Sequence, residues 1–166
     1  MEAMNFHLYL LFILENTVFG INIRNIKKIH RFVAKHMNSP RMLNLKNALF
    51  QMENFSIAGN QINEFNIKIP TLIEIDIPTV DKGIVSIDIM TDFVIGLHQI
   101  PPDEFNEYSI TTQQEIEDSL HVLNQDYLMG YSFFPYTGRS LKTRDIPVHL
   151  IHVEKIASYA EKSGIQ

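Results

Sequence analysis

The sequence predicts an all-β chain with one or two short helices, and three features carry that expectation. The apolar run Leu8 to Leu14 ends at the polar stretch Glu15-Asn16-Thr17, after which Val18 to Ile23 begins a second apolar segment. Tyr, Phe, Ile and Val favour the pleated strand, and seven apolar residues bounded by turn residues suit a strand buried on both faces better than a helix. Further along, Ile73, Ile75 and Ile77 alternate with Glu74 and Asp76, the period of a half-buried strand. Finally, turn signals such as Ala58-Gly59-Asn60 and Asp81-Lys82-Gly83 separate the apolar runs at short intervals.

In chain order, the first two segments form a hairpin. From Ile23 the spacing changes: Ile23, Ile26 and Ile29 recur every third residue with Arg24, Asn25, Lys27 and Lys28 between them. A regular strand cannot bury all three, so a bend or bulge is expected near Asn25. His30 to Phe50 is expected to be a loop with a short helix, with Phe32, Val33 and Met37 on one helical turn that Asn38-Ser39-Pro40 breaks, before Met42, Leu43, Leu45 and Leu49 resume an apolar pattern. Phe55 to Ile77 returns to strand character, with Pro70 and Pro78 bracketing the last strand. Ile84 to Ile89 is a strand, Phe93 to Leu97 begins the next, and Pro101-Pro102 ends it because proline cannot donate to a ladder. Thr112 and Glu115 form a capping-box pattern ahead of Ile116, Leu120 and Leu123, which predicts a short helix. Tyr127 to Phe133 and Val148 to Val153 supply the last strands, and Glu154-Lys155-Ile156 starts a terminal helix.

A chain of 166 residues, 45% apolar, can build one domain, or two tightly joined subdomains, around a real core. Without cysteine there are no disulfides, thiolate metal sites or thiol nucleophiles. Leu8 to Leu14 is too short to span a bilayer, and the flank before it carries Glu2 and no Lys or Arg, unlike a secretory signal. A cytoplasmic protein without direct membrane insertion is expected. Asn54-Phe55-Ser56 fits a glycosylation sequon by chance.

The net charge of −5 is unevenly spread. Arg24, Lys27, Lys28, Arg31, Lys35, Arg41 and Lys46 lie between Asn16 and Met52 with no acid among them, while Gly83 to Gly138 holds acids and no Lys or Arg. The basic stretch has no aromatic RNA-binding motif and no zinc spacing, so nucleic acid is not the expected partner. Two solvated faces of opposite sign suit electrostatic steering toward a protein.

Catalytic chemistry is not expected. His149 and His152, three apart on a strand, fall on opposite faces and cannot chelate one ion. No phosphate loop or nucleophile elbow is present, and the acid pairs Asp103-Glu104 and Glu117-Asp118 sit in polar segments that would not separate their pKa values. No metal or cofactor is expected.

Several of these stretches resemble the CheW family of bacterial chemotaxis adaptors. Tyr9-Leu10-x-Phe12-x-Leu14 followed by Phe19-Gly20-Ile21-x-Ile23-x-x-Ile26-x-x-Ile29 is similar, without a gap, to the family's opening hairpin. Ile69-Pro70-Thr71-Leu72-Ile73-Glu74-Ile75 after Gly59, Val94-Ile95-Gly96-Leu97, Tyr127-Leu128-Met129-Gly130 and the closing Glu154-Lys155-Ile156 follow in family order. The resemblance implies two small five-stranded β-barrels packed through a shared apolar interface. It places the first subdomain roughly at 6–78, the second at 79–145, and a closing strand and C-terminal helix at 146–166. The first barrel would take the N-terminal hairpin and Phe55 to Ile77. The second would take Ile84 to Leu97, which would form its hairpin, Tyr127 to Phe133 and Val148 to Val153, with a crossing of the last strand to the first barrel as the alternative.

The implied function is a non-catalytic adaptor that couples the cytoplasmic tips of chemoreceptors to the regulatory domain of a CheA-type histidine kinase. The implied partner-binding residues are Ile26, Lys28, Ile29 and Gly59, with plain core packing as the equal alternative for Ile26 and Ile29. The chain departs from the family in five ways: Lys28 stands where an acid is usual, His30 to Phe50 is longer than the family's loop, the Leu-Arg-Gly motif has no counterpart at Asn60 to Glu64, His98-Gln99-Ile100 replaces the valine and aspartate that usually follow Leu97, and Phe133 to Asp145 is longer than the family's turn. A rival resemblance is Phe133-Phe134-Pro135-Tyr136-x-x-Arg139, similar to a motif of SecB-type export chaperones, which bind unfolded polypeptides.

Overall fold

The structure, a computed structural model, describes residues 7–31, 39–50, 69–108, 123–137 and 143–164. Strand β1, Leu8–Leu14, pairs antiparallel with β2, Thr17–Asn22, as the apolar runs require. Their turn is only Glu15-Asn16, with φ of 50° and 62°, the twist that two-residue hairpins favour. Asparagine tolerates positive φ more readily than glutamate. Glu15 is held there by its amide, which donates to Asp92 Oδ2 at 2.9 Å, and by its carboxylate, which accepts from Lys46 Nζ at 2.7 Å.

β2 ends at Asn22, whose side chain accepts from the Arg24 amide and opens a 3-10 turn over Ile23–Asn25. The buried Asn25 donates to the Asp76 carbonyl at 3.3 Å. This is the predicted bend. It carries the chain out of one sheet and into another as β3, Ile26–Arg31.

The remaining elements are β4, Met42–Leu43; helix α1, Leu45–Leu49; β5, Thr71–Thr79; β6, Gly83–Thr91; β7, Phe93–Gln99; β8, Leu128–Thr137; β9, Thr143–Ile151; and helix α2, Val153–Lys162. They form two sheets, one of five strands in the order β7-β1-β2-β9-β8 and one of four in the order β3-β5-β6-β4. The predicted predominance of strands with two helices holds. The two expected strand subdomains are present as sheets of five and four strands, and among the described residues no ladder closes either sheet into a barrel. The first curls nonetheless, since the His98 ring on edge strand β7 lies 6.0 Å from the Phe134 ring on the opposite edge, β8.

β1 explains why the sheets belong together. Leu10, Phe12 and Leu14 point into a core shared with Ile73, Ile75 and Ile77 of β5, Ile87 and Ile89 of β6, and Ile156, Ala157 and Ala160 of α2. Tyr9, Leu11 and Ile13 point the other way, into a core with Phe134, Val148 and Leu150 inside the curl of the first sheet. Each such fully buried aliphatic or aromatic side chain contributes about 1.5–3 kcal/mol. A strand apolar on both faces therefore holds two cores at once.

The strands are shared out differently from the expected grouping. β6 pairs with β5 across the whole length Thr71–Thr79, whereas β7 pairs with β1, so Ile84 to Leu97 is a crossover between sheets and not a hairpin. The crossing is pinned at Asp92, whose amide donates to the Ile13 carbonyl at 2.9 Å. The closing strand β9 crosses to the N-terminal hairpin, parallel to β2, which is the alternative the sequence left open for it. Phe133 to Asp145 is not an extended turn, because β8 and β9 remain paired out to Thr137↔Thr143. The SecB-like Phe133-Phe134-Pro135-Tyr136 thus lies inside an antiparallel ladder. Pro78 sits within β5, beyond the last residue that β3 pairs with, where the strand has a neighbour on only one side. The helical turn expected at Phe32, Val33 and Met37 lies outside the described residues, His30 and Arg31 belong to β3, and helix α1 falls after the break, where only a resumed apolar pattern was expected. The helix expected after Thr112 and the strand at Phe55 and Ile57 lie outside the described residues.

The terminal helix follows its pattern. Ile156, Ala157 and Ala160 are buried on one face, and His152 caps the start by accepting from the Lys155 amide at 3.4 Å. Lys82 at the β5–β6 turn reaches Glu161 at 3.3 Å, tying that turn to the helix.

Candidate partner-binding surface

Among the described residues β3 is an edge strand, hydrogen-bonded to β5 on one side only. Its register contains a bulge: Ile26 lies opposite Ile75, but Lys28 lies opposite Glu74. The extra residue turns Lys28 to the face opposite Ile26, so that Ile26 and Ile29, three apart, both face the side of Ile73 and Ile75. This is how the every-third-residue spacing is accommodated. The two isoleucines differ in depth, since Ile26 is partly buried against the core while Ile29 is 46% exposed at the rim.

Lys27, Lys28 and Arg31 are exposed, and none of the three has an ion-pair partner among the described residues. The edge therefore presents positive charge beside a rim isoleucine. Gly59, the remaining expected contact residue, lies outside the described residues, as does the stretch from Asn60 to Glu64.

Behind this edge, on the outer face of the second sheet, Glu74 and Asp88 are directly opposite each other on β5 and β6. Like charges so placed repel. Arg41 resolves the conflict, its guanidinium lying 3.6 Å from each carboxylate. His30 of β3 hydrogen-bonds Glu74 and holds its carboxyl below the usual range, against the opposing effect of partial burial and with help from the charges of His30, Arg41 and Lys27. Ser39 donates to Asp88 Oδ2 at 2.9 Å, and the Asp88 amide donates to the Arg41 carbonyl at 2.9 Å. These contacts fasten the segment from Ser39 to Leu43 along β6. Arg41 offsets part of the ladder's negative charge, and Lys27 and Lys28 of the adjacent edge have no ion-pair partner among the described residues.

The sequence alone did not single out Arg41, Glu74 or Asp88. Their alternation with apolar residues marked a solvent-facing side, but which acid stands opposite which depends on strand register. His149 and His152 behave as separate groups: His149 is buried beside Tyr108, and His152 caps α2.

Among solved structures, the chain is similar to the scaffolding protein CheW of Thermoanaerobacter tengcongensis, with a TM-score of 0.51 over 87% of this chain and 83% of that one. Sequence identity is 12%, so the likeness is one of fold. No protein-family model matches the chain, and no curated protein matches it by sequence.

Proposed function

We propose that this chain, on its CheW-like fold, is a non-catalytic adaptor that works in the cytoplasm and joins the cytoplasmic tip of a chemoreceptor to the regulatory domain of a CheA-type histidine kinase. The observation that carries the proposal is the β3 edge. It offers an unpaired strand edge, a rim isoleucine and three exposed cations without ion-pair partners among the described residues. An open edge can be extended by a partner strand, and charge of one sign steers encounter. Ile26, Lys28, Ile29 and Gly59 are the residues assigned to the contact. Lys28, standing where CheW-like chains carry an acid, implies an acidic partner surface.

The test is the association rate with the kinase regulatory domain from the same cell, measured by stopped flow at several salt concentrations. Exposed charges are screened over about 8 Å at physiological ionic strength, so Lys28→Glu should slow association most at low salt and flatten its salt dependence. Its stability should change by less than about 1 kcal/mol. An unchanged rate at low salt would remove the basic edge from the interface.

A further inference from the structure

Among the described residues the first sheet also has two open edges, β7 and β8, and both line one groove. β7 and β8 stand at opposite ends of the strand order and flank a groove of about 640 Å³ lined by His98, Gln99, Glu104, Ser132, Pro135 and Asp145. Ser132, 1% exposed, is among its lining residues, and the ring of His98, another of them, lies 6.0 Å from the Phe134 ring. One antiparallel bridge, Asn106↔Tyr131, covers the start of the β8 edge. From Phe133 to Thr137, β8 has β9 on one side and no partner strand on the other among the described residues.

The charge of the groove is one-sided. Glu104 and Asp145 are exposed at its rim, neither has an ion-pair partner among the described residues, and no Lys or Arg contributes to the lining. An unpaired strand edge beside uncompensated acids has a definite complement. We propose that the groove takes an extended segment of a partner protein, added to the β8 edge, with a Lys or Arg side chain directed at Glu104 and Asp145. Main-chain hydrogen bonds supply affinity in such an arrangement, and alternate side chains supply the choice of ligand. The site is separate from the β3 edge and goes beyond the adaptor proposal, since it stands or falls whatever β3 binds.

The probe is a fluorescein-labelled, end-capped pentapeptide of alternating valine and lysine, titrated with the full chain and followed by anisotropy. Saturable binding is expected, with amide shifts concentrated at the β7 and β8 edges. The double variant Glu104→Gln/Asp145→Asn should weaken it about tenfold at low salt, as should N-methylation of the peptide's edge-facing amides. Asp81→Asn/Glu154→Gln, on acids outside the groove, should leave it unchanged, and so should Lys28→Glu. The proposal is overturned if a valine–glutamate peptide binds equally well, or if the groove variant and the N-methylated peptide behave like their parents. It is overturned equally if sedimentation reveals self-association that the groove variant abolishes, since the occupant would then be a second copy of the chain.

Discussion

His149 lies fully buried on β9, its ring 6.2 Å from that of Phe19 and stacked on Tyr108 at 6.0 Å. Its Nδ1 is 2.6 Å from the Tyr108 hydroxyl, while Nε2 has no hydrogen-bond partner among the described residues. Burial pushes the imidazole down from 6.5 to about 3, so the folded protein keeps it neutral where the unfolded chain protonates it. Between those values the unfolded state binds the extra proton, and stability must fall as the pH drops. Each pH unit well below 6.5 costs at most about 1.4 kcal/mol, which amounts to roughly 2 kcal/mol at pH 5 relative to pH 8. Glu74, whose carboxyl is held below its ordinary 4.5, stabilises the fold above that pH and loses its contribution only further down. Urea titrations at pH 8, 6.5 and 5 would measure the effect, followed by circular dichroism because the chain has no tryptophan. His149→Phe is the diagnostic variant: it keeps a ring against Phe19 and removes the unpaired nitrogen, and Tyr108 retains the Gly130 carbonyl at 3.2 Å. It should abolish the loss between pH 6.5 and 5. If the variant loses as much stability as the parent over that range, or if NMR titrates His149 near 6.5, the reasoning is refuted.

Burial separates two isoleucines that look alike in the sequence. Ile73→Ala, at a fully buried position, should cost about 2–5 kcal/mol, whereas Ile29→Ala should cost about 1 kcal/mol or less in a denaturant melt. A large loss at Ile29 would return that residue to the core and weaken its assignment to a binding edge. Gly130 has a steric constraint: a Cβ there would lie 2.3 Å from the Asn106 carbonyl oxygen and 2.7 Å from the Phe105 ring. Gly130→Ala should therefore destabilise by about 1–3 kcal/mol and speed hydrogen exchange at the Asn106 and Tyr131 amides, which donate across that bridge. Unchanged exchange at both would show that the segment carrying Phe105 does not depend on the glycine. Light scattering should give no stable tetramer, the assembly that a SecB-type chaperone would form.

Local chemistry made much of the fold legible. The doubly apolar Leu8 to Leu14, the alternating Ile73 to Ile77 and the Glu154-Lys155-Ile156 helix start each state their secondary structure through periodicity, which depends only on neighbours along the chain. The bend after Asn22 was readable for the same reason, because isoleucines three apart cannot share one face of a regular strand. The candidate site was legible in part: Lys28 and Ile29 are at an exposed edge, but the depth that distinguishes Ile26 from Ile29 depends on where the sheet ends.

What periodicity cannot carry is pairing. Nothing in Ile84 to Leu97 shows that its first strand joins β5 and its second joins β1, because both alternatives bury the same residues and differ only in which distant backbone accepts their hydrogen bonds. The meeting of Glu74 with Asp88 under Arg41, the approach of Asn106 to Gly130, and the groove where the β7 and β8 edges face each other all follow from that choice of register. The sequence by itself determined which segments are strands and which faces are apolar. The tertiary structure decided which strands are neighbours, since a strand edge is equally competent toward any other, and only the packing of two cores around β1 selects among them.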